Sequence, residues 1–461
     1  MTYDIVIRGG TIVTATDTVV GDVGINGRHV AAIGQKLEGR QVIDAAGLLV
    51  MPGGVDGHCH IEQDEADGTV HEDTFDTASA SALAGGTTSV VCFSNQLPGR
   101  PLVEQFEYYQ AKGRRSRIDY AIHQIVTRAD EETLETGIPR VVELGAAGLK
   151  IFMTYDDFHL GDGDILKVLS AAKRADTLVS VHCENYEAIA FLIRQYLERG
   201  ETAPYFHALS RPPVVEREAT YRATCLAELI QQKLQVFHVS CPEVAHEIAR
   251  GKARGVPVMA ETCPQYFVLK SEDMNREGFE GARYMCSPPP RTPADSLGLW
   301  ECVRQGVIDV ISSDHCGYSY DGPRGKSRHG RDAPFSVVPN GIPGLATRLP
   351  LIYDEGVNKG QITLNQFVAL VATNPARRYG LYPRKGSIAP GFDADIVLWD
   401  PRRSVTITNS MLHHAIDYTP YEGQSVTGWP VMTLSKGKVL MQDNVIMDGA
   451  PEGEFLNPRA L

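Results

Sequence analysis

Short apolar runs, each long enough for one buried β-strand, alternate with helix-patterned segments through the middle of this 461-residue chain. Such an alternation is typical of βα units, which build parallel sheets. The predicted strands number eight, and eight strands are enough to close a parallel sheet into a barrel. They are 55–61, 88–93, 119–126, 148–153, 178–182, 234–238, 257–261 and 309–313. The sequence therefore predicts an α/β fold with a (β/α)8 TIM barrel.

The two ends of the chain have a different pattern. Alternating apolar runs separated by turns occupy the start of the chain, and the same pattern returns at 394–399 and 431–440. Such short alternating runs are typical of antiparallel strands with one buried face. We expect the two ends to pair in a smaller β-sandwich domain, with the barrel inserted between them. The predicted domains are 1–52 plus 380–461 for the sandwich and 53–379 for the barrel.

The composition limits the partners and the compartment. A net charge of −13 is weak evidence against binding of nucleic acid, which favours a basic face. No apolar run reaches the about 18 residues of a membrane span, and the first residues lack the pattern of a signal peptide. The nine cysteines are an odd number without a CxxC pair, which fits a reducing compartment better than a disulfide framework. We expect a cytoplasmic protein that binds neither nucleic acid nor a membrane.

Six polar side chains stand at or near the ends of predicted strands. Barrel folds place their active sites at the carboxyl ends of the strands, where such side chains converge. His58 and His60 lie two residues apart on one strand, so both imidazoles share a face. Burying unpaired polar groups costs several kcal/mol each, so this clustering predicts a metal site instead. The set comprises His58, His60, Lys150, His182, His238 and Asp314.

The ligand types narrow the choice of metal. Imidazole and carboxylate groups favour Zn²⁺, with Mn²⁺, Co²⁺ or Fe²⁺ as alternatives. Five such groups exceed the three that one catalytic zinc usually takes, whereas two metals about 3.5–4 Å apart would use them. Two cations so close need a bridging anion. Lys150 cannot serve as an ammonium group, because that group is positive and has no lone pair.

With this ligand pattern the chain resembles the cyclic-amidase branch of the amidohydrolase superfamily. In that branch the lysine at this strand end is N-carboxylated by CO2, and the carbamate bridges two metals. The resemblance implies that Lys150 is an N6-carboxylysine. It also implies the remaining ligands: His58, His60 and Asp314 for the first metal, and His182 and His238 for the second.

Five motifs narrow the resemblance to the dihydropyrimidinase and D-hydantoinase group: KIFMTY (150–155), HCEN (182–185), ETCPQY (261–266), SPP (287–289) and PNGIPG (339–344). Enzymes of this group open the ring of dihydropyrimidines or 5-substituted hydantoins to N-carbamoyl amino acids. The resemblance implies that the Tyr155 hydroxyl stabilises the oxyanion and that Asp314 passes a proton to the leaving nitrogen. It implies that main-chain groups of Ser287 and Asn340 hold the imide edge of the ring. It also implies a homo-oligomer, commonly a tetramer.

Related functions remain as alternatives. An allantoinase-like enzyme, or another hydrolase of cyclic ureides or imides, would share the metals. A dihydroorotase would have an arginine shortly after its first histidine pair, where Ile61 and Glu62 stand here. A non-catalytic scaffold of the same fold would have lost metal ligands, whereas all six ligand positions are intact. These observations favour the enzyme and weaken both the dihydroorotase and the scaffold interpretations.

An acidic run distinguishes this chain from many hydantoinases. Those enzymes carry Met, Pro and Phe after the histidine pair, in a loop that lines the pocket for the ring substituent. Here residues 61–67 read IEQDEAD, and Asp156 and Asp157 follow Tyr155 in a second loop. A solvated loop face would explain these acids. The alternative hypothesis is a polar or cationic ring substituent rather than an aromatic one.

Overall fold

The computed structural model describes residues 2–65 and 70–459, and two β-sheets organise them. The strands are β1 Thr2–Val13, β2 Thr18–Asn26, β3 His29–Gly34, β4 Glu38–Asp44, β5 Leu49–Pro52, β6 Gly54–His60, β7 Thr87–Ser94, β8 Asp119–Ile125, β9 Gly148–Phe152, β10 Val179–His182, β11 Leu234–Val236, β12 Val258–Thr262, β13 Val310–Ile311, β14 His315–Cys316, β15 Ile396–Thr406, β16 Ser425–Ser435, β17 Lys438–Gln442 and β18 Val445–Ile446.

Helices follow most strands of the central region. They are α1 Phe75–Ala84, α2 Leu102–Lys112, α3 Ile138–Glu143, α4 Asp162–Arg174, α5 Tyr186–Glu198, α6 Tyr205–Leu209, α7 Pro213–Ile230, α8 Pro242–Ala253, α9 Gln265–Val268, α10 Pro293–Arg304, α11 Arg348–Ile352, α12 Leu364–Val368 and α13 Asn374–Arg378. Local sequence sets where several begin. For example, the Thr74 hydroxyl accepts a hydrogen bond from Thr77 N at the start of α1. Among the described residues, no helix is both long and apolar enough to cross a membrane.

Strands β6 to β14 form a parallel sheet in the order β13-β12-β11-β10-β9-β8-β7-β6-β14. The first seven predicted strands overlap β6 to β12. Every residue of β7 and of β8 is buried, as expected for apolar runs covered on both faces. The predicted (β/α)8 barrel is therefore confirmed.

The eighth strand differs from the continuous run predicted at 309–313. Its first part, β13, pairs with β12, and its second part, β14, pairs with β6. The break falls at Asp314, whose φ of 50° lies in the left-handed region and cannot continue a strand. The two parts together close the barrel between its last and first strands.

The second sheet uses both ends of the chain. Its order is β18-β17-β16-β15-β5-β1-β2-β3, and β4 pairs with β1. Apolar side chains of β1, β2, β5, β15 and β16 pack into a core separate from that of the barrel. This confirms a smaller β-rich region made from the two ends. The boundaries at 1–52 plus 380–461 and at 53–379 stay a prediction.

A buried ion pair stands where the barrel closes. Arg348 Nε of α11 lies 3.4 Å from Asp56 Oδ2 of β6, and both side chains are fully buried. The Asp56 Oδ1 atom accepts a hydrogen bond from Ser313 N at 3.0 Å. Arg348 Nη1 donates to Ile311 O at 3.0 Å. These contacts connect α11 and the eighth barrel strand to β6, the first strand of the barrel.

Replacing Arg348 with methionine leaves the Asp56 carboxylate buried without its cation. We expect Arg348→Met to lower the free energy of unfolding by about 3–5 kcal/mol, the range for removing one partner of a buried pair. Urea unfolding followed by circular dichroism measures the change. The matched control is Arg403→Met, because Arg403 and Asp443 stand at the same 3.4 Å distance but are partly exposed. There we expect less than about 1 kcal/mol. Equal losses in the two variants would contradict the role of burial.

Candidate active site

One cavity of about 460 Å³ opens at the carboxyl ends of the barrel strands. Its wall contains every residue that the sequence assigned to the site: His58, His60, Lys150, Tyr155, His182, His238, Ser287, Asp314 and Asn340. Most of these residues are far apart in the chain, and the barrel brings them together because they lie in, or shortly after, different strands at its carboxyl end. Their individual roles stay predictions.

His58, His60 and Asp314 form a tight cluster in this wall. The His58 Nε2 atom lies 3.1 Å from Asp314 Oδ1, and His60 Nε2 lies 3.7 Å from the same oxygen. One ligand atom from each residue fits within 4.8 Å of the other two, a spacing that suits a bound cation. Strand β6 directs both imidazoles to one face, and the positive φ of Asp314 directs its carboxylate toward them.

His182 and His238 form a second pair beside the first cluster. Their ring centroids are 4.3 Å apart, and the centroid of His238 is 5.5 Å from that of His58. The His58 Nε2 and His238 Nδ1 atoms are buried, and among the described residues neither makes a hydrogen bond, although Asp314 Oδ1 lies 3.1 Å from His58 Nε2. Buried imidazole nitrogens without partners are costly unless something binds them. The donor set therefore fits divalent metal ions.

Lys150 lies fully buried in the floor of the cavity. Its Nζ atom is 4.1 Å from the ring centroid of Phe237 and 4.9 Å from that of Phe152. The described residues offer this Nζ no hydrogen-bond acceptor. Burial lowers the pKa of Lys150 to about 7, although the charges of Asp314 and Glu261 oppose the shift. A neutral amine is therefore populated near neutral pH.

Three further side chains orient the histidines, although no pattern in the sequence indicates a role for any of them. Glu261 Oε1 lies 3.2 Å from His58 Nδ1, and Gln63 Oε1 lies 2.6 Å from His60 Nδ1. Each contact leaves Nε2 of its histidine directed at the cavity, which is how metal-ligating imidazoles are usually held. In the sequence, Gln63 stands three residues after His60, and Glu261 ends a predicted strand and begins the ETCPQY motif.

Glu184 orients His182 in the opposite sense. Its Oε2 atom lies 2.7 Å from His182 Nε2, which leaves Nδ1 as the free nitrogen of that ring. Arg211 Nη1 donates to the same oxygen at 2.8 Å. Burial opposes ionisation of this carboxyl, but the charge of Arg211 and the contact with His182 lower the pKa of Glu184 to about 2. The Glu184 carboxyl group therefore stays ionised at neutral pH and holds the His182 ring in place.

Tyr155 stands over the second histidine pair. Its ring centroid is 5.2 Å from that of His182, and its φ of 70° is unusual for a residue other than glycine. Burial raises the pKa of the Tyr155 phenol, although the charge of Arg211 opposes the shift. The hydroxyl therefore keeps its proton and is a hydrogen-bond donor. Such a donor suits a site where negative charge develops on a carbonyl oxygen.

The acidic run after His60 is largely paired. Glu62 forms an ion pair with Arg115, and Asp64 lies 2.6 Å from Lys112 Nζ. Glu65 Oε1 lies 2.6 Å from His71 Nε2 and, unlike Glu62 and Asp64, lines the cavity. Asp67 lies outside the described residues. Most acids of this run are thus paired with basic side chains. Because Glu62 and Asp64 do not line the cavity, fewer acidic groups support the hypothesis of a polar or cationic ring substituent.

The second acidic pair does line the cavity. Asp156 and Asp157 both stand in its wall, and Asp156 Oδ1 accepts a hydrogen bond from Tyr186 Oη at 2.5 Å. Phe152 and Phe158 line the same cavity, so its wall is mixed rather than uniformly acidic. The preference for a polar ring substituent stays a prediction.

Known proteins of similar sequence share this architecture. The model of the amidohydrolase family matches residues 49–440. The chain is 42% identical over 459 residues to a D-hydantoinase of Rhizobium radiobacter, with 99% of each chain covered. It is 35% identical over 458 residues to a D-phenylhydantoinase of Escherichia coli, with 98% of this chain and 97% of the relative covered.

Solved structures agree with these relatives. A D-hydantoinase structure superimposes with a TM-score of 0.94 at 42% identity, covering 98% of both chains. A dihydropyrimidinase from Brevibacillus agri has the same TM-score at 39% identity, again over 98% of both chains. Both similarities extend through the barrel and the β-rich region. The chain therefore belongs to the amidohydrolase family and, within it, to the hydantoinase and dihydropyrimidinase group.

Proposed function

We propose that this protein hydrolyses the cyclic amide bond of dihydropyrimidines or 5-substituted hydantoins and releases N-carbamoyl amino acids. The observation that carries the proposal is the convergence of the six ligand-type residues, Tyr155 and the two ring-binding loops on one cavity. Full-length similarity to D-hydantoinases and to a dihydropyrimidinase supports it. We also propose that the protein acts in the cytoplasm as a homo-oligomer, commonly a tetramer in this group.

Divalent metal use follows from membership of the amidohydrolase family, and we propose two ions, with zinc as the first choice. His58, His60 and Asp314 would hold one ion, and His182 with His238 would hold the other. Their separation into a triad and a neighbouring pair supports this division. When bound, the two cations polarise the ring carbonyl and lower the pKa of the attacking water.

Lys150 would supply the bridging anion as an N6-carboxylysine. In that step the neutral Nζ forms an N–C bond to CO2 and releases one proton, which leaves a carbamate with one negative charge. The supporting observation is the burial of Nζ among aromatic rings, with no acceptor among the described residues. A cation held there without a partner would be costly, whereas a carbamate beside two cations would be paired.

The protein's own groups then divide the remaining work. Main-chain groups of Ser287 and Asn340 would hold the imide edge of the ring, and the Tyr155 hydroxyl would donate to the developing oxyanion. Asp314 would accept a proton from the water and deliver it to the leaving ring nitrogen. The C–N bond of the ring breaks, and the product carries a carboxylate and a carbamoyl group.

A substrate panel on metal-loaded protein tests the reaction. We expect hydantoin or dihydrouracil to be opened to its N-carbamoyl product, with kcat/KM at least about 100-fold above that for allantoin. Chromatographic detection of each product gives the rates. A preference for allantoin would favour the allantoinase-like alternative, and no activity on any ring would contradict the function.

The same panel tests the substituent. Glu65, Asp156 and Asp157 in the wall favour an aminoalkyl hydantoin over phenylhydantoin. We expect a kcat/KM ratio of about tenfold, the discrimination that one charged contact at a partly open site supports. A strong preference for phenylhydantoin would remove this part of the proposal.

Metal content provides a second test. We expect about two metal ions per chain, and we expect chelation to lower Tm, because a ligand that binds only the folded state stabilises it. His238→Ala should lose at least one ion and most activity. The matched control is His246→Ala on the exposed face of α8. This variant should keep both ions, and chelation should lower its Tm as much as it lowers that of the wild-type protein. Unchanged metal content in His238→Ala would contradict the proposed ligand set.

The lysine gives a third test. Lys150→Ala removes the bridging group, and we expect it to lose at least about 100-fold in kcat, comparable with losing one charge-stabilising group from an active site. Added acetate or propionate should restore part of the activity, because a short carboxylic acid fits the space that the side chain leaves. Mass spectrometry of the native wild-type protein should also find 44 Da of added CO2 on about one lysine per chain. Wild-type activity in Lys150→Ala would exclude the two-metal arrangement.

A further inference from the structure

Lys326 is a second buried lysine, and the proposed reaction does not use it. The residue is 1% exposed. Nζ donates hydrogen bonds to Pro339 O at 2.9 Å and to Met285 O at 3.1 Å. Buried ammonium groups normally have a carboxylate partner. Among the described residues, the hydrogen-bond acceptors of this Nζ are two main-chain carbonyls.

Those two carbonyls belong to the two loops assigned to ring binding. Pro339 directly precedes Asn340, and Met285 stands two residues before Ser287. The loops also contact each other, because Gly341 N donates to Met285 O at 3.0 Å. The Met285 carbonyl thus accepts from both Lys326 and Gly341. The single Nζ of Lys326 therefore bridges both loops next to the groups that would hold the ring.

The segment that carries Lys326 is itself anchored. Lys326 N donates to Ser319 O at 2.8 Å, and Ser327 N donates to Tyr320 O at 3.1 Å. Tyr320 N in turn donates to Asp417 Oδ1 at 2.6 Å. The segment leaves the barrel directly after β14, the second part of the closing strand. Lys326 is therefore a fixed point against which both loops are held.

The spacing of the two loops matters for a small rigid ring. The imide edge presents a carbonyl oxygen and an N–H group at a fixed separation, so the main-chain groups that hold it must keep a matching separation. A displacement of about 1 Å is enough to cost binding or rate at such a site. The hydrogen bond from Gly341 N to Met285 O joins the loops at one point, and the two bonds from Lys326 Nζ add a second connection, between Met285 O and Pro339 O.

We propose that Lys326 is a positioning residue for ring binding, which holds loops 285–287 and 339–341 at the separation that the imide edge requires. This inference rests on the proposed function, because it needs Ser287 and Asn340 to contact the ring. The interaction is made equally in the ground state and the transition state, so its loss should act mainly on KM. A merely structural lysine would lower stability and leave KM unchanged.

The test compares Lys326→Met with wild-type protein on hydantoin, the smallest ring of the panel. Methionine keeps most of the side-chain volume and removes the hydrogen-bond donors. We expect KM to rise about tenfold and kcat to change less than about threefold, because a tenfold change corresponds to roughly one lost hydrogen bond. Lys326→Arg keeps donors and charge and should bring KM back toward the wild-type value.

The matched control is Lys385→Met. Lys385 is equally buried, but its Nζ contacts Asp119 and Asp395 at 2.6 and 2.7 Å, away from the two loops. This variant should lose stability and keep the wild-type KM. An unchanged KM in Lys326→Met, or an equal rise in Lys385→Met, would overturn the inference.

Two further outcomes separate the inference from the function on which it rests. If wild-type protein opens no ring, the proposed function fails and the inference fails with it. If wild-type protein is active and Lys326→Met keeps its KM, only the inference fails. If Lys326→Met does not fold, Lys326→Gln retains an N–H donor on a shorter side chain. The KM of Lys326→Gln should then rise, while the KM of Lys385→Met stays at the wild-type value. An unchanged KM in Lys326→Gln would again overturn the inference.

Discussion

The rest of the site depends on how the barrel closes. Asp56 Oδ1 accepts hydrogen bonds from Ser313 N and, at 3.4 Å, from His58 N, while Asp56 Oδ2 faces Arg348. The buried Asp56 carboxylate therefore holds the main chain of His58 in β6 and of Ser313, the residue just before Asp314. The contacts that close the barrel thus also bring His58 and His60 of β6 close to Asp314.

Backbone strain accompanies this assembly. His238, Asp314 and Tyr155 have φ values of 42°, 50° and 70°, although none is glycine. Such conformations cost of order 1–3 kcal/mol each and persist only where neighbouring contacts hold them. For His238 the contact is specific, since its main-chain N donates to Glu261 Oε2 at 2.7 Å. Glu261 also contacts the His58 ring, so one carboxylate fixes the backbone of one histidine and the ring of another.

The sequence predicted what depends on local periodicity. Strand-length apolar runs located β6 to β12, and strand-end polar residues located the cavity, because a parallel barrel places all carboxyl ends at one face. The sequence did not predict the break at Asp314, because the break depends on hydrogen bonds to other strands. Ser312 N donates to Thr262 O, and Ser313 N donates to Asp56 Oδ1. The roles of Glu261, Glu184 and Gln63 were missed for a similar reason. Glu261 contacts His58 from another strand. Gln63 and Glu184 stand close in sequence to their histidines, but neighbours such as Glu62 and Asp64 look alike in sequence and pair instead with Arg115 and Lys112.

The buried lysines show how the same residue type takes different parts in one molecule. Burial opposes the charge of Lys385, but Asp395 and Asp119 raise its pKa, so it is a permanent cation that joins the two sheets. Burial lowers the pKa of Lys150 and of Lys326 to about 7, and among the described residues neither Nζ has a carboxylate in direct contact. A protein that needed only stability would place carboxylates beside these two, as it does at Lys385. Lys150 lies among aromatic rings, where the proposed function requires a free amine, whereas the Nζ of Lys326 donates hydrogen bonds to two main-chain carbonyls. The partners of each lysine, rather than its burial, therefore distinguish the structural role of Lys385 from the chemical role proposed for Lys150 and the positioning role proposed for Lys326.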